Sequence, residues 1–193
     1  PTSIDFAPQA TPSQAFRLWP PGSAPVDPQA RTQYSLFMGQ YIKPGFRLLM
    51  VDDSEEDTFF VQTALQRSGA GQYFHAVSSV QEAINYMRGE GQFADRQKFP
   101  FPNALLVDLK MPGMDGFDLL RWLQQHPECK VIPTVVFSSS FLESDVHQVY
   151  VLGGNAFIAK PGSFEELLDL MQVTYNFWSR CQTPAPPSDE HCA

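Results

Sequence analysis

The sequence predicts an α/β fold in which a parallel sheet carries helices on both of its faces. Five short apolar runs alternate with helical segments between residues 46 and 180. This alternation implies parallel strands joined by right-handed crossovers, in a doubly wound arrangement. In addition, polar residues that can carry chemistry follow four of the five runs. They lie at the carboxyl ends of the strands, where ligands bind in such sheets.

Five segments are predicted as the strands of the sheet. The first, FRLLMV, is an apolar run between Pro-Gly and a group of acidic residues, as expected for a buried parallel strand. The later runs are shorter or less regular, but each is bounded by turn or helix signals. The predicted strands are, in chain order, 46–51, 72–77, 103–108, 132–138 and 155–159.

Helices are predicted after each strand from capping residues and apolar spacing. Ser54 is placed to cap the first helix, and Ser79 with Glu82 has the pattern of a capping box for the second. Pro127 is expected to end the third helix. The predicted helices cover 55–67, a segment after Ser79 that runs to residue 88, 117–126, 143–152 and 163–180.

The two flanks of this region differ from it in composition. Residues 1–45 hold about half of the 17 prolines and are predicted to form a mostly extended or disordered arm. Within the arm, Tyr34, Phe37, Met38 and Tyr41 have helical spacing. This spacing indicates a short amphipathic segment that either folds back on its own domain or binds a partner. Residues 181–193 are predicted to be a C-terminal tail.

Composition and charge exclude several classes of function. The net charge of −8 and the pI of about 4.8 disfavour binding to nucleic acid or to an anionic membrane surface. No apolar stretch reaches the length of a membrane span, and the N-terminus shows no secretory signal. The three cysteines have no CxxC spacing, which predicts reduced thiols rather than a disulfide framework or a zinc site. We therefore expect a cytoplasmic protein.

The residues that end or directly follow four of the predicted strands suit phosphoryl transfer. They are, in chain order, Asp52 and Asp53, Asp108, Ser138 and Lys160. Three carboxylates in one crevice repel each other unless a cation is present, and Mg²⁺ is bound by a few carboxylates together with water. An aspartate can act as a nucleophile toward phosphorus. The ammonium and hydroxyl groups supply a positive charge and a hydrogen bond for the phosphoryl oxygens.

Four motifs connect this pattern to a known family. In their order and spacing, VDDSEED, LLVDLKMPGMDG, VVFSSS and FIAKP resemble the signature of response-regulator receiver domains of two-component signalling. The resemblance covers residues 46–180 and implies a flavodoxin-like receiver fold with strand order 2-1-3-4-5. The long loop 89–102 and the closing NFW are similar to stand-alone regulators of the cyanobacterial phytochrome-associated kind.

The resemblance implies a role for each residue of the site. Asp108 is the implied phospho-acceptor, and Lys160 and Ser138 are its implied catalytic partners. Ser138 and Phe157 match the family's switch pair, in which the aromatic side chain moves when the hydroxyl group turns toward the phosphoryl group. The implied Mg²⁺ ligands are Asp52, Asp53, Asp108 and the backbone carbonyl of Lys110.

Some nearby residues depart from this pattern or receive a simpler interpretation. Lys110 stands where the subgroup often has Asn, and Ser140 lies two positions beyond Ser138. Both positions flank the path of an attacking water, so they bear on the lifetime of the phosphoryl group. The acidic residues Glu55, Glu56 and Asp57 are assigned to the helix N-terminus, where negative charge is favoured.

The function predicted from these observations is that of a single-domain response regulator. A histidine kinase or a histidine phosphotransfer protein would donate a phosphoryl group to Asp108 in a Mg²⁺-dependent reaction. No output domain is recognisable after residue 180, so output is expected through protein contacts rather than through catalysis. A homodimer is one such contact, for which Tyr175, Phe177 and Trp178 are candidates.

Two alternatives belong to other classes of protein. One is a receiver-like binding module that works without phosphorylation. The other is an aspartate-nucleophile phosphohydrolase on a similar sheet. Such enzymes usually carry a second Asp two residues after the nucleophile, where this chain has Lys110. Turnover of an external phosphate ester would favour the phosphohydrolase, and loss of Mg²⁺ affinity would favour the binding module.

Overall fold

The structure is a computed structural model that describes residues 45–69, 73–140 and 142–182. Almost all of the predicted N-terminal arm and C-terminal tail lie outside these residues. The segment with helical spacing at 34–41 also lies outside them. In the described part of the chain, no helix has both the length and the apolar character needed to cross a membrane.

A five-stranded parallel sheet with the order β2-β1-β3-β4-β5 forms the centre of the fold. The predicted fold class and strand order are therefore confirmed. The strands are β1 Leu48–Val51, β2 Phe74–Val77, β3 Ala104–Val107, β4 Thr134–Ser138 and β5 Ala156–Ala159. Each begins one or two residues later than predicted. For β1 the reason is that apolar character reports burial and not strand pairing. Phe46, for example, is buried but precedes β1.

Five helices connect or follow the strands. They are α1 Glu55–Arg67, α2 Val80–Arg88, α3 Gly116–Gln125, α4 Glu143–Val151 and α5 Phe164–Arg180. Two short elements were not predicted, a 3₁₀ turn at Gly91–Phe93 and a four-residue helix at Pro127–Lys130. Pro127 separates this short helix from α3, because proline fits the first turn of a helix but cannot continue the preceding one.

The cap of α2 differs from the prediction in detail, and α3 has a cap that was not predicted. Ser79 accepts a hydrogen bond from the backbone N–H of Glu82, at 3.3 Å. The Glu82 carboxylate, however, accepts from the N–H of Ser78 and not from that of Ser79, so the predicted capping box is shifted by one residue. A complete capping box forms instead at the start of α3, between Asp115 and Asp118.

Two apolar clusters pack against opposite faces of the sheet. One cluster includes residues of α2 and α3, and the other includes residues of α1 and α5. In β1, Leu49 and Val51 belong to the first cluster, while Leu48 and Met50 belong to the second. Successive side chains of a strand point to opposite faces, so a strand covered on both faces is a continuous apolar run.

One prediction about the last helix was wrong. Tyr175 is only 6% exposed, and its ring packs edge to face with that of Phe46, with 5.2 Å between the two ring centroids. It is therefore part of the core and not surplus apolar surface. Phe177 is 59% exposed, and Trp178 is half-buried against the second apolar cluster. A dimer contact at these two residues stays a prediction.

Candidate functional site

The carboxyl ends of the strands bring Asp52 and Asp108 side by side. Each follows a central strand of the sheet, and β1 and β3 pair in register with Val51 opposite Val107. The backbone N–H of Asp108 donates to the carbonyl of Val51 at 2.9 Å. Both aspartates are buried. The sheet thus places two carboxylates close together in a region where water does not screen them.

Asp53 completes a group of three carboxylates. One carboxylate oxygen each from Asp52, Asp53 and Asp108 lies within 4.8 Å of the others, with Asp53 on the exposed side. The Oδ1 atom of Asp108 is buried and accepts no hydrogen bond from the described residues. A buried oxygen without a hydrogen bond is costly. The donor set is made of hard oxygen atoms, so it fits a divalent cation such as Mg²⁺.

Lys160 joins the same group from the end of β5. Its ammonium lies 2.8 Å from Oδ2 of Asp52, 2.8 Å from Oδ2 of Asp57 and 3.2 Å from Oδ2 of Asp108. Burial by itself lowers the pKa of Lys160, but the hydrogen bonds to Asp52 and Asp57, together with the negative charges of Asp52 and Asp108, outweigh it and hold the pKa above its usual range. Lys160 therefore carries a fixed positive charge at neutral pH. We call Lys160, Asp52, Asp57 and Asp108 the Lys160 cluster.

The balance of effects is different at Asp52. Burial raises the pKa of its carboxyl group, and the negative charge of Asp108 adds to this effect. The hydrogen bonds from Lys160 and from the backbone N–H of Ser54 act in the opposite direction but are the smaller effect. In this cluster one ammonium faces three carboxylates, so the site remains favourable for a further cation.

Asp57 is the member of the cluster that the sequence analysis missed. It was assigned to the helix N-terminus, and its backbone N–H does donate to the capping Ser54 at 3.1 Å. Its carboxylate, however, points to Lys160. A signal was present in the helical spacing, because Asp57 lies four residues before the buried Val61 and therefore on the inner face of α1.

A second cluster lies at the rim of the site. Ser140 donates a hydrogen bond of 2.7 Å to Oδ2 of Asp145, and the ammonium of Lys110 lies 3.4 Å from the same oxygen. These contacts lower the pKa of Asp145, with the hydrogen bond from Ser140 as the largest cause. We call Lys110, Ser140 and Asp145 the Asp145 cluster. It links the loop after β3, the end of β4 and the first turn of α4.

The two predicted switch residues lie on adjacent strands. Ser138 ends β4 and is fully buried. Its hydroxyl oxygen accepts a long hydrogen bond from the backbone N–H of Ser140, with 3.5 Å between the oxygen and the nitrogen. Phe157 is opposite Val136 in the pairing of β4 with β5 and is partly buried against the first apolar cluster. Their proposed movement stays a prediction, as does the ligand role of the Lys110 carbonyl.

A glycine fixes α3 against the loop that follows Asp108. The N–H of Gly116 donates to the carbonyl of Leu109 at 3.2 Å. A Cβ atom at this position would collide with the carbonyl oxygen of Asp108 and would lie 2.9 Å from Cα of Leu109. No larger residue fits without moving the helix, so the first turn of α3 lies directly against the backbone of the predicted acceptor.

Known proteins match both the sequence and this arrangement. A family model described as "Response regulator receiver domain" matches residues 48–172. "Response regulator Rcp1" of Synechocystis sp. is 30% identical over 131 residues, which are 68% of this chain and 87% of that protein. "Probable methanogenesis regulatory protein FilR2" of Methanothrix harundinacea is 26% identical over 136 residues, 69% of this chain and 83% of that protein.

Solved structures agree with these matches. The phosphorylated cyanobacterial phytochrome response regulator RcpA is 31% identical, with a TM-score of 0.66 over 72% of this chain and 98% of that chain. The Mn²⁺-bound form of Rcp1 is 30% identical, with a TM-score of 0.63 and the same coverage of both chains.

Proposed function

The chain belongs to the response regulator receiver domain family, and we propose that it accepts a phosphoryl group on Asp108 and changes its protein contacts in response. One observation carries this proposal. The Oδ2 atom of Asp108 lies 3.2 Å from the Nζ atom of Lys160. The buried Oδ1 atom of Asp108 accepts no hydrogen bond from the described residues. An oriented carboxylate with an unbonded oxygen is a suitable nucleophile for phosphorus.

The proposed reaction is an in-line displacement at phosphorus. A carboxylate oxygen of Asp108 attacks the phosphohistidine of a histidine kinase or a histidine phosphotransfer protein. The new P–O bond forms as the P–N bond breaks, and the electron pair leaves with the imidazole nitrogen, which then takes a proton. Lys160 supplies positive charge to the phosphoryl oxygens, and the Ser138 hydroxyl donates a hydrogen bond to one of them.

The family binds a divalent cation, and Rcp1 has been solved with Mn²⁺. We propose Mg²⁺ for this chain because its donors are hard oxygen atoms. The residues that would hold it are Asp52, Asp53, Asp108 and the backbone carbonyl of Lys110. When bound, the ion neutralises negative charge on the carboxylates and on the phosphoryl oxygens.

The proposed change in shape begins at Ser138. Its hydroxyl group turns toward the phosphoryl group, and Phe157 moves into the space that it leaves. This movement alters the surface formed by α4, β5 and α5, to which a target protein would bind. The register of β4 and β5 supports the pairing of these two residues, because Ser138 lies opposite Ala159, two residues beyond Phe157. We expect the transfer of the phosphoryl group to Asp108 to take place in the cytoplasm.

Intact-mass spectrometry after incubation with phosphoramidate and Mg²⁺ tests the acceptor. We expect the wild type to gain one phosphoryl group and Asp108→Asn to gain none, because an amide cannot form the acyl phosphate. Asp169→Asn is the matched control, since Asp169 is an exposed aspartate on α5, and it should behave like the wild type. Uptake by Asp108→Asn at the wild-type rate would contradict the proposal.

This experiment and a turnover assay with an external phosphate ester separate the two alternatives. No uptake by a folded wild type would favour a binding module that works without phosphorylation. Steady turnover of an external phosphate ester would favour the phosphohydrolase. The structure offers the latter no support, because Lys110 occupies the place of the second aspartate and its ammonium contacts Asp145.

A further inference from the structure

Asp57 contacts the centre of the site, yet the proposed reaction gives it no role. Its Oδ2 lies 2.8 Å from the Lys160 ammonium, as close as Oδ2 of Asp52. An ammonium group has three N–H donors. In the structure, all three face carboxylates, with Asp108 at the longest distance of 3.2 Å.

Lys160 can therefore contact phosphoryl oxygens only if it exchanges one of these partners. The two short contacts differ in what their loss costs. The side chain of Asp52 is 0% exposed, so water cannot take the place of the ammonium there and only another cation could do so. The side chain of Asp57 is 37% exposed, so water can take the place of the ammonium. Asp57 is the partner that is exchanged at lower cost.

The surroundings of Asp57 agree with this difference. Asp57 and Lys160 both line an open groove of about 420 Å³ between the first turns of α1 and α5, whose other walls include Phe60 and Phe164. Solvent in this groove reaches the Asp57 carboxylate. A released Asp57 would thus be hydrated without any movement of the core.

We propose that Asp57 is a positioning residue that holds Lys160 in the unphosphorylated protein and releases it when Asp108 is phosphorylated. A contact that exists in only one of two states shifts the population toward that state. Asp57 therefore opposes phosphorylation, and it raises the concentration of phosphoryl donor that is needed to phosphorylate half of the protein. This inference rests on the proposed function and deepens it.

The first part of the test examines the protein without metal or phosphoryl group. Competitive acetylation with acetic anhydride, followed by peptide mass spectrometry, reports how available the Lys160 amine is. We expect Asp57→Asn to increase the acetylation rate of Lys160 by about two- to five-fold, because the pair it breaks is partly exposed. Glu56→Gln removes the same charge from the same helical turn and should leave the rate unchanged.

The second part measures the phosphoryl-like state at equilibrium. Beryllium fluoride is titrated in the presence of Mg²⁺, and bound fluoride is followed by ¹⁹F NMR. We expect Asp57→Asn to lower the half-saturating concentration by about two- to five-fold, since Lys160 no longer gives up a partner. Glu56→Gln should again match the wild type, which separates the contact from a general effect of charge on the helix N-terminus.

The outcomes separate this inference from the proposed function. Equal acetylation in Asp57→Asn and the wild type, or a half-saturating concentration that stays equal or rises, overturns the inference alone. A wild type that binds no beryllium fluoride and takes up no phosphoryl group overturns the proposed function, and the inference with it.

Discussion

Two lysines lie at the carboxyl edge of the sheet, and each contacts carboxylates, but their surroundings differ. The Lys160 side chain is 10% exposed and contacts three carboxylates. The Lys110 side chain is 58% exposed and contacts Asp145 at 3.4 Å. The free energy of an ion pair depends on how far water is excluded from it. Lysine–aspartate pairs therefore contribute more free energy in the Lys160 cluster than in the Asp145 cluster.

The two clusters also differ in what holds them. Asp52 and Asp108 follow neighbouring strands and Lys160 follows an edge strand, so the sheet fixes most of the Lys160 cluster. The Asp145 cluster joins a loop, the residues after β4 and the first turn of α4. The sheet thus fixes the position of most of the Lys160 cluster, whereas the Asp145 cluster joins side chains of loops and of a helix. Three substitutions test this difference between the clusters.

The largest effect is expected for Lys160→Met. Without the ammonium, the buried Asp52 loses its partner, and the free energy of unfolding should fall by about 3 kcal/mol when no divalent cation is present. Urea denaturation at neutral pH in the presence of a chelator measures this loss. Addition of Mg²⁺ should recover part of it, because the cation replaces the missing charge. A loss no greater than that of Lys110→Met would contradict the comparison.

A smaller and pH-dependent effect is expected for Asp145→Asn. The folded state holds the pKa of Asp145 below its ordinary value of 3.8. Its stabilising contribution is therefore present above pH 3.8 and is lost as the pH falls through the folded pKa. Asp145→Asn should flatten the decrease in stability below pH 3.8, as measured by thermal unfolding at a series of pH values. Glu143→Gln, an exposed change in the same helical turn, should keep the wild-type slope.

The smallest effect is expected for Lys110→Gln. Because its ammonium is largely in water, the free energy of unfolding should change by less than about 0.5 kcal/mol. The remaining difference should disappear at high salt, where exposed charges are screened. Urea denaturation at two ionic strengths measures both effects. A large loss that does not depend on salt would mean that the rim is as tightly coupled as the centre.

The sheet and the residues at its edge could be predicted from the sequence. Apolar runs of strand length give the strands, and the resemblance of the motifs gives their order. Together they bring Asp52, Asp108, Ser138 and Lys160 to one edge, where the structure has them. The roles of these residues remain predictions that mass spectrometry can test.

The contacts made by helix side chains were harder to predict. Asp57 has a sufficient local explanation at the N-terminus of α1, although its partner Lys160 is 103 residues away. Asp145 stands in the first turn of α4 and has a similar local explanation. A long-range contact of one side chain depends on how its helix is rotated about its own axis against the sheet. The spacing of apolar residues along the helix defines this rotation only approximately. The burial of Tyr175 depends in the same way on the rotation of α5 against the sheet.

The close approach at Gly116 limits where this protein can vary. At this position α3 lies so close to the backbone of Asp108, the proposed acceptor, that only glycine fits. A larger residue would have to displace α3 or the backbone of Asp108, the proposed acceptor, even though it lies outside the group of carboxylates. The rim formed by Lys110 and Ser140 has no such restriction. The predicted influence of Lys110 and Ser140 on the lifetime of the phosphoryl group could therefore vary while Gly116 stays constant.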